Sequence, residues 1–175
     1  MQYRDYGNEG YKVSAFGMGC MRVPHVKDEH GNKIIQREEA IKMIRYAADH
    51  GVTYFDSARM YFNGDCDALL GEALAGGYRE KVKVVSKIPP WFVNSEEEFN
   101  STLDDMLKKL QTDYLDVLLT HDMNREAWDR FQQMGMYQWM EKAKQAGKIK
   151  AIGFSFHDDV ELFREMVDAY PWAMA

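Results

Sequence analysis

Four polar residues stand at or just past the ends of apolar runs, where side chains are available for chemistry. Asp56 follows the run GVTYF, and Tyr61 comes five residues later. Lys87 lies near the end of VKVVSKI, and His121 ends YLDVLLTH. A lysine in so apolar a run is unusual, because lone lysines are rarely buried. The pattern indicates a site that combines a carboxylate, a phenol, an ammonium group and an imidazole.

This set of side chains is suited to proton transfer. A phenol is a weak acid near neutrality, with an ordinary pKa of about 10. A neighbouring ammonium group lowers the pKa of a phenol and eases proton donation to a developing alkoxide. Asp56 can pair with Lys87, and His121 can donate a hydrogen bond that orients a substrate carbonyl. None of these groups supplies electrons or hydride, so a reduction at this site would need a cofactor.

Each of these residues has a simpler interpretation when it is taken alone. Asp56 could cap the next turn, Tyr61 could be an amphipathic rim residue, and Lys87 could form a structural ion pair. His121 with Asp122 could be a satisfied loop pair. Their occurrence together at successive strand ends favours a functional site.

The site requires elements that bring several strand ends together. After a predicted N-terminal hairpin that turns at 7–10, short β-branched runs alternate with helical patterns in the order βαβαβαβαβα. The five strands are predicted to begin near Val13, Val52, Val82, Tyr114 and Ile149. Strict alternation predicts parallel strands with helical crossovers, whose carboxyl ends share one face. No strand precedes a complete Gly-rich phosphate-binding fingerprint, so an α/β barrel is favoured over a doubly wound dinucleotide-binding sheet.

Composition excludes several other classes of protein. The chain has 175 residues, 46% of them hydrophobic, and a net charge of −6 without a basic block, which disfavours a nucleic-acid partner. The N-terminus lacks the apolar run of a signal peptide, and no stretch is long enough to span a membrane. Cys20 and Cys66 form neither a disulfide framework nor a metal-spaced pair. A cytoplasmic location is expected.

Three segments together resemble a known family. GVTYFDSARMYFNGDCDALLGEAL joins a strand, Asp56 and Tyr61 to a glycine-containing loop and an LGEAL-type helix. TDYLDVLLTH and GKIKAIGFSFHD are two further strands that end in polar residues. In combination they resemble the aldo-keto reductases. The resemblance implies a (β/α)8 TIM barrel plugged by an N-terminal hairpin at about residues 2–13, and NADPH-dependent reduction of an aldehyde or ketone to an alcohol.

The resemblance also implies a role for each residue of the set. Tyr61 would be the general acid, and Lys87 would modulate the pKa of that acid. Asp56 would be the partner of Lys87, and His121 would orient the carbonyl of a small-molecule substrate. Ser155 is a candidate for cofactor binding.

Two details refine the resemblance. Phe156 stands where many family members carry an asparagine that contacts the nicotinamide carboxamide, so that contact is in question. The stretches YREKVKVVSKIPPW and GKIKAIGFSFHDDVELFREMVDAY resemble the branch whose members often carry a C-terminal ferredoxin-like iron–sulfur domain. Two isolated cysteines cannot hold a cluster, so none is expected within this chain.

The apolar residues after the third strand have two interpretations. Trp91 and Phe92 either line an apolar wall of a substrate pocket or belong to a packed loop. The substrate itself is not identified, since loops select it on this fold.

The chain accounts for about the first five β/α units of such a barrel. It is expected to form a single, incomplete domain over residues 1–175, with open sheet edges that favour self-association. The alternative to a reductase is therefore a truncated, catalytically silent barrel fragment that acts as an oligomerising or small-molecule-binding module. A metal-dependent hydrolase is disfavoured because the His-x-His pattern of ligands is absent.

Overall fold

A computed structural model describes the whole chain, residues 1–175. Nine strands and six helices follow one another along it. The strands are β1 Tyr3–Asp5, β2 Lys12–Ser14, β3 Met18–Gly19, β4 His25–Lys27, β5 Lys33–Ile35, β6 Tyr54–Asp56, β7 Lys83–Ile88, β8 Leu115–Met123 and β9 Ile149–Phe156. The helices are α1 Arg37–Asp49, α2 Asp65–Leu74, α3 Glu96–Lys109, α4 Arg125–Met134, α5 Met136–Gln145 and α6 Val160–Ala169.

Five strands form a parallel sheet in the order β3-β6-β7-β8-β9, which is their order in the sequence. The alternation of strands and helices therefore predicted the topology correctly. The predicted position of the first strand was wrong. Val13 pairs with Arg4 in the antiparallel β1–β2 hairpin, and the sheet begins later, at Met18. The chain turns between these strands at Gly17, where an added Cβ would lie 2.9 Å from the Tyr54 ring.

A second hairpin, β4–β5, was not predicted. Its turn is held by Asp28, whose Oδ1 accepts hydrogen bonds from the backbone N–H groups of His30 and Asn32. The short strands lie outside the parallel sheet. Because the segment is polar and charged, its sequence reads as a loop.

The helices form largely where the apolar spacing predicts them. The apolar spacing of α3 and of its C-terminal end forms one buried stripe, since Phe99, Leu103, Met106, Leu107 and Leu110 are all buried. Ser95 caps this helix by accepting from the N–H of Glu98, but the Glu98 carboxylate accepts from Asn94 instead of completing a reciprocal pair with Ser95. The break between α4 and α5 falls at Gly135, which adopts a φ of 66°.

The two faces of the sheet have different surroundings. Along β7, Val84 and Ile88 belong to a cluster of 36 buried residues that includes members from all six helices. Val85 points to the opposite face and packs with Val117, Leu119 and Ala151. This alternation is expected, because successive side chains of a strand point to opposite faces. The helices thus cover one face, and the other is an inner face.

The ends of the chain meet near the inner face. Tyr6, in the loop of the first hairpin, packs against the inner cluster, and its hydroxyl group donates to the Met174 sulfur at 3.0 Å. Met174 also accepts from the N–H of Phe154 through its carbonyl oxygen, so the C-terminal residues pair with β9. No helix has the length and apolar character that a membrane span requires.

Candidate active site

Adjacent strands bring the predicted residues to the carboxyl-terminal edge of the sheet. Asp56 is the last residue of β6, and Lys87 is the penultimate residue of β7. His121 follows Thr120, which pairs with Ile88 across the β7–β8 ladder. Parallel strands place these ends on one side. The structure therefore gathers the side chains from separate parts of the sequence.

Lys87 is the centre of the group. Its ammonium group is 2.5 Å from Asp56 Oδ1, 2.8 Å from the carbonyl oxygen of Ser57 and 3.3 Å from the hydroxyl oxygen of Tyr61. The lysine side chain is only 6% exposed, whereas that of Asp56 is 25% exposed. An ammonium group has three donor hydrogens, and three acceptors surround this one. The buried positive charge is therefore compensated, and the ammonium group points towards the Tyr61 hydroxyl.

Tyr61 is held by an unusual stretch of backbone. The three residues that follow it, Phe62, Asn63 and Gly64, all have positive φ values, of 49°, 55° and 87°. Left-handed conformations of non-glycine residues cost free energy and persist only when surrounding contacts impose them. The strained stretch leads directly into α2, so it fixes where the phenol stands relative to the sheet.

His121 meets Tyr61 edge to face, with ring centroids 5.7 Å apart and an interplanar angle of 80°. Its Nδ1 atom is buried without a hydrogen-bond partner. Burial, assisted by the positive charge of Lys87, lowers the pKa of His121 to about 4. The imidazole is therefore neutral near pH 7, and a neutral imidazole donates an N–H without adding a second positive charge beside Lys87.

Strand β8 is irregular immediately after His121. Its pairing with β9 shifts register between Thr120 and Met123, and Asp122 has a φ of 56°. The N–H of Asp122 donates to Ser155 Oγ at 2.8 Å. Bulges near functional sites re-aim side chains. Ser155 thus supports the bulge, a role that the sequence did not indicate, and its own hydroxyl hydrogen stays available to a ligand.

Other predicted residues lie around this group. Trp91 and Phe92 are both partly exposed, but they line two separate depressions of about 340 and 240 Å³, neither of which includes Tyr61 or His121. Phe92 stacks under the Arg59 guanidinium, 5.2 Å from the ring centroid. Phe156 packs on Phe163 of α6 and so faces the helices.

Three residues of the site were missed by sequence reasoning. Ser57 supplies a carbonyl oxygen to Lys87, and Ser86 and Asp67 hydrogen-bond to one another behind the sheet. A backbone carbonyl contact has no sequence signal. Ser86 had one, since a serine within an apolar strand needs a partner, whereas Asp67 occupies an ordinary position for an acid in the first turn of a helix.

The arrangement can deliver a proton to a substrate oxygen. A phenol within reach of an ammonium group and beside an imidazole is a combination of an acid and two hydrogen-bond donors. No group of three or more His, Cys, Asp or Glu side chains in the structure is arranged to hold a metal ion.

With this fold and this group of side chains, the chain belongs to the aldo/keto reductase family. The family model, described as "Aldo/keto reductase family", matches residues 16–175. Membership in the family and the parallel α/β sheet together define a fold of the TIM-barrel type.

Particular relatives extend this comparison. The chain is 34% identical over 132 residues to methylglyoxal reductase YeaE of Escherichia coli, covering 75% of this chain and 44% of the relative. It is 27% identical over 176 residues to L-galactose dehydrogenase of Arabidopsis thaliana, covering 98% of this chain and 53% of the relative. The chain spans about half the length of these curated relatives.

Solved structures agree with the family assignment. An aldo-keto reductase of Klebsiella pneumoniae, solved in complex with NADPH, superimposes with a TM-score of 0.76 at 30% identity over 94% of this chain and 52% of that one. The thermostable aldo-keto reductase Tm1743, solved with the inhibitor epalrestat, also gives a TM-score of 0.76, at 27% identity over 99% of this chain and 61% of that one.

Proposed function

We propose that this chain carries the proton-transfer half of an NADPH-dependent reductase that converts an aldehyde or ketone to an alcohol. The observation that carries the proposal is the contact of the buried Lys87 ammonium with both Asp56 and the Tyr61 hydroxyl, at 2.5 and 3.3 Å. Family membership supports it, as does the name of the methylglyoxal reductase among the relatives.

In this proposal each residue of the group acts on the substrate carbonyl. Tyr61 donates its hydroxyl proton to the carbonyl oxygen as negative charge develops there. Lys87, held by Asp56, stabilises the phenolate that remains. His121 donates an N–H to the same oxygen and orients it, which its neutral state permits.

The hydride for the reduction comes from NADPH, when that cofactor is bound. Ser155 would contact the cofactor. Its side chain fits this role because Oγ already accepts from Asp122 and therefore directs its own hydrogen elsewhere. The complex of the Klebsiella pneumoniae relative with NADPH supports the choice of cofactor.

The proposal extends to the architecture of the domain. Residues 1–175 would form the first five units of a single eight-unit barrel, and the β1–β2 hairpin would plug its lower end. The contact of Tyr6 with the inner cluster supports the plug. We also place the chain in the branch that often carries a ferredoxin-like domain, from the stretches at 78–91 and 147–170. The buried free thiols of Cys20 and Cys66 suit a reducing cytoplasm.

A second candidate function is an oligomerising or small-molecule-binding module without catalysis. It is favoured by an apolar groove of about 560 Å³ along β3 and α1. Phe16 and Tyr46 line it and are 62% and 66% exposed. The occupant would be a second copy of the chain, whose apolar C-terminal residues 170–175 lie at the other edge of the sheet.

A titration of the purified chain with NADPH, followed by tryptophan fluorescence, separates the two candidates. Saturable binding, with turnover of methylglyoxal or another small carbonyl compound, is the result expected for the reductase. A folded chain that binds no NADPH and sediments as a concentration-dependent oligomer would overturn the reductase for this chain and support the module.

A further inference from the structure

Behind the sheet, a buried carboxyl group faces the strand that carries Lys87. Asp67 lies in the first turn of α2 and is fully buried. Its Oδ1 accepts a hydrogen bond of 3.0 Å from the hydroxyl group of Ser86. Its Oδ2 has no partner, and the buried hydroxyl oxygen of Ser57 has none either. A buried polar group without a partner is costly, so this arrangement needs a reason.

Ser57 affects the Asp67 carboxyl, although no hydrogen bond joins their side chains. Burial raises the pKa of the Asp67 carboxyl, and the hydroxyl groups of Ser57 and Ser86 oppose that increase. The two unpartnered oxygens are thus complementary, since either a hydroxyl or a protonated carboxyl can donate to the other. Asp67 therefore contacts Ser86 of β7 and faces Ser57 of the segment that leads to Tyr61.

Both of these residues adjoin Lys87, one in the sequence and the other through a hydrogen bond. Ser86 precedes Lys87, and because side chains alternate along a strand, Ser86 points towards α2 while Lys87 points to the inner face. Ser57 gives its carbonyl oxygen to the Lys87 ammonium. The same segment is tied to β7 by hydrogen bonds from the N–H of Ser57 to the carbonyl of Val85 and from the N–H of Arg59 to the carbonyl of Lys87.

We propose that Asp67 is a positioning residue that locks β7 to the 57–61 segment and so holds the Lys87 ammonium against the phenol of Tyr61. Without it, only the two backbone hydrogen bonds from Ser57 and Arg59 would hold the segment against β7, and α2 would no longer restrain their relative position. The Lys87 ammonium lies 4.9 Å from the centre of the Tyr61 ring. At this distance, a small displacement of β7 or of the 57–61 segment changes the effect of the ring on the NMR signal of the lysine.

A second buried carboxyl group, on the neighbouring strand β8, offers a matched control. Asp116 is also buried and also contacts β7, but at the opposite end of that strand. It accepts a hydrogen bond from the N–H of Val84 and forms ion pairs with Lys83 and Arg79. Its oxygens are fully partnered. A change at Asp116 therefore perturbs the stability of β7 without touching the segment that carries Tyr61.

The test is an NMR measurement on the full chain labelled with carbon-13 at the lysine ε position. The Lys87 signal, assigned by its loss in Lys87→Arg, carries the ring-current shift of Tyr61, and Tyr61→Leu gives its value without the ring. Asp67→Ala is expected to move this signal towards the Tyr61→Leu value. Asp67→Asn, which keeps an acceptor for Ser86 and offers a donor to Ser57, is expected to leave it near the wild-type value.

The control and the overturning results follow from the same spectra. Asp116→Asn is expected to lower the thermal midpoint while the Lys87 signal stays in place. A folded Asp67→Ala chain with the wild-type Lys87 signal would overturn the proposal, and so would an equal shift in Asp116→Asn. If Asp67→Ala does not fold, Ser86→Ala removes the hydrogen bond on β7 and is judged by the same criterion.

The inference rests on the proposed function only in treating Lys87 and Tyr61 as a catalytic pair. The NMR signal reports their juxtaposition without cofactor or turnover. Two results can therefore be told apart. If the chain binds no NADPH, but Asp67→Ala removes the ring-current shift of Tyr61 from the Lys87 signal, the reductase proposal is contradicted and the positioning role is still supported.

Discussion

Ser155 on β9 holds the backbone of Asp122 on β8 through a hydrogen bond of 2.8 Å, one residue after His121. The bond satisfies an N–H that the bulge removes from the regular ladder. The orientation of His121 therefore depends on a side chain more than thirty residues away in sequence. This relationship gives Ser155 a structural effect on the site whether or not it also contacts a cofactor.

Ser155→Ala tests this effect. The substitution leaves the Asp122 N–H without its acceptor, and we expect a loss of about 1 kcal/mol in the free energy of unfolding. The amide hydrogen of Asp122 should exchange faster, while amides in α3 keep their protection. Urea unfolding and hydrogen exchange measure the two effects. Ser155→Thr keeps the hydroxyl group and serves as the control, and equal exchange at Asp122 in all three chains would contradict the assignment.

His121 should make stability depend on pH. The folded chain holds the pKa of His121 at about 4, below its ordinary value of 6.5, so the unfolded chain takes up the proton first. The stabilising contribution is complete above about pH 6.5 and is lost as the pH falls towards 4, by about 1–2 kcal/mol after allowance for solvent screening of this half-buried group.

Urea unfolding of the wild type and of His121→Gln between pH 4 and pH 8 measures this dependence. The glutamine variant lacks the titrating group and should show a flatter profile over the same interval. Parallel profiles for the two chains would show that His121 is not the group responsible.

Tyr61→Phe removes the proton donor and the longest of the three hydrogen bonds of the Lys87 ammonium, while the ring keeps its edge-to-face contact with His121. We expect carbonyl reduction to fall by a factor of about 100 or more. NADPH affinity and thermal stability should change little. Steady-state kinetics with a small aldehyde, together with a cofactor titration, measure these effects. Unchanged turnover in the variant would remove Tyr61 from its proposed role.

The Asp56–Lys87 pair should behave as a coupled unit. Lys87→Met leaves a partly buried carboxylate unpaired, and Asp56→Asn leaves a buried ammonium undercompensated, so we expect each to cost about 3 kcal/mol. The double variant leaves neither charge buried without its partner, so its loss of unfolding free energy should be clearly smaller than the sum of the two single losses. The exposed pair of Asp5 and Lys12, at 2.6 Å, is the control.

Denaturant unfolding of the single and double variants gives the coupling free energy. Lys12→Met should cost less than about 1 kcal/mol, because exposed pairs contribute little. Additive losses at Asp56 and Lys87 would mean that the two charges do not depend on each other for burial.

Much of the sheet and of the helical layer was predictable because the relevant signals are local. IKAIGFSF is apolar or small at every position except the exposed Lys150, and β9 spans all eight of its residues. Gly135 separates two amphipathic patterns and marks the break between two helices. The convergence of Asp56, Lys87 and His121 followed from their positions near successive strand ends, which the parallel topology brings to one edge.

What the sequence did not reveal depends on contacts between distant segments. Strand β3 has only two residues, and its pairing with β6 cannot be read from so short a run. Asp67 looks like an ordinary acid in the first turn of a helix, where the helix dipole favours negative charge. Ser155 reads as a ligand contact, because nothing local indicates the bulge that it supports.

The sulfur atom of Met174 accepts from the hydroxyl groups of Tyr6 and Tyr54, at 3.0 Å each. The strands of the sheet lie side by side in the order in which a ribosome delivers them, so each can join its neighbour as it emerges. The two tyrosines must wait for a residue that is synthesised 168 and 120 residues after them, respectively. The strands can therefore pair step by step during translation, while this part of the inner face closes only after Met174 has emerged.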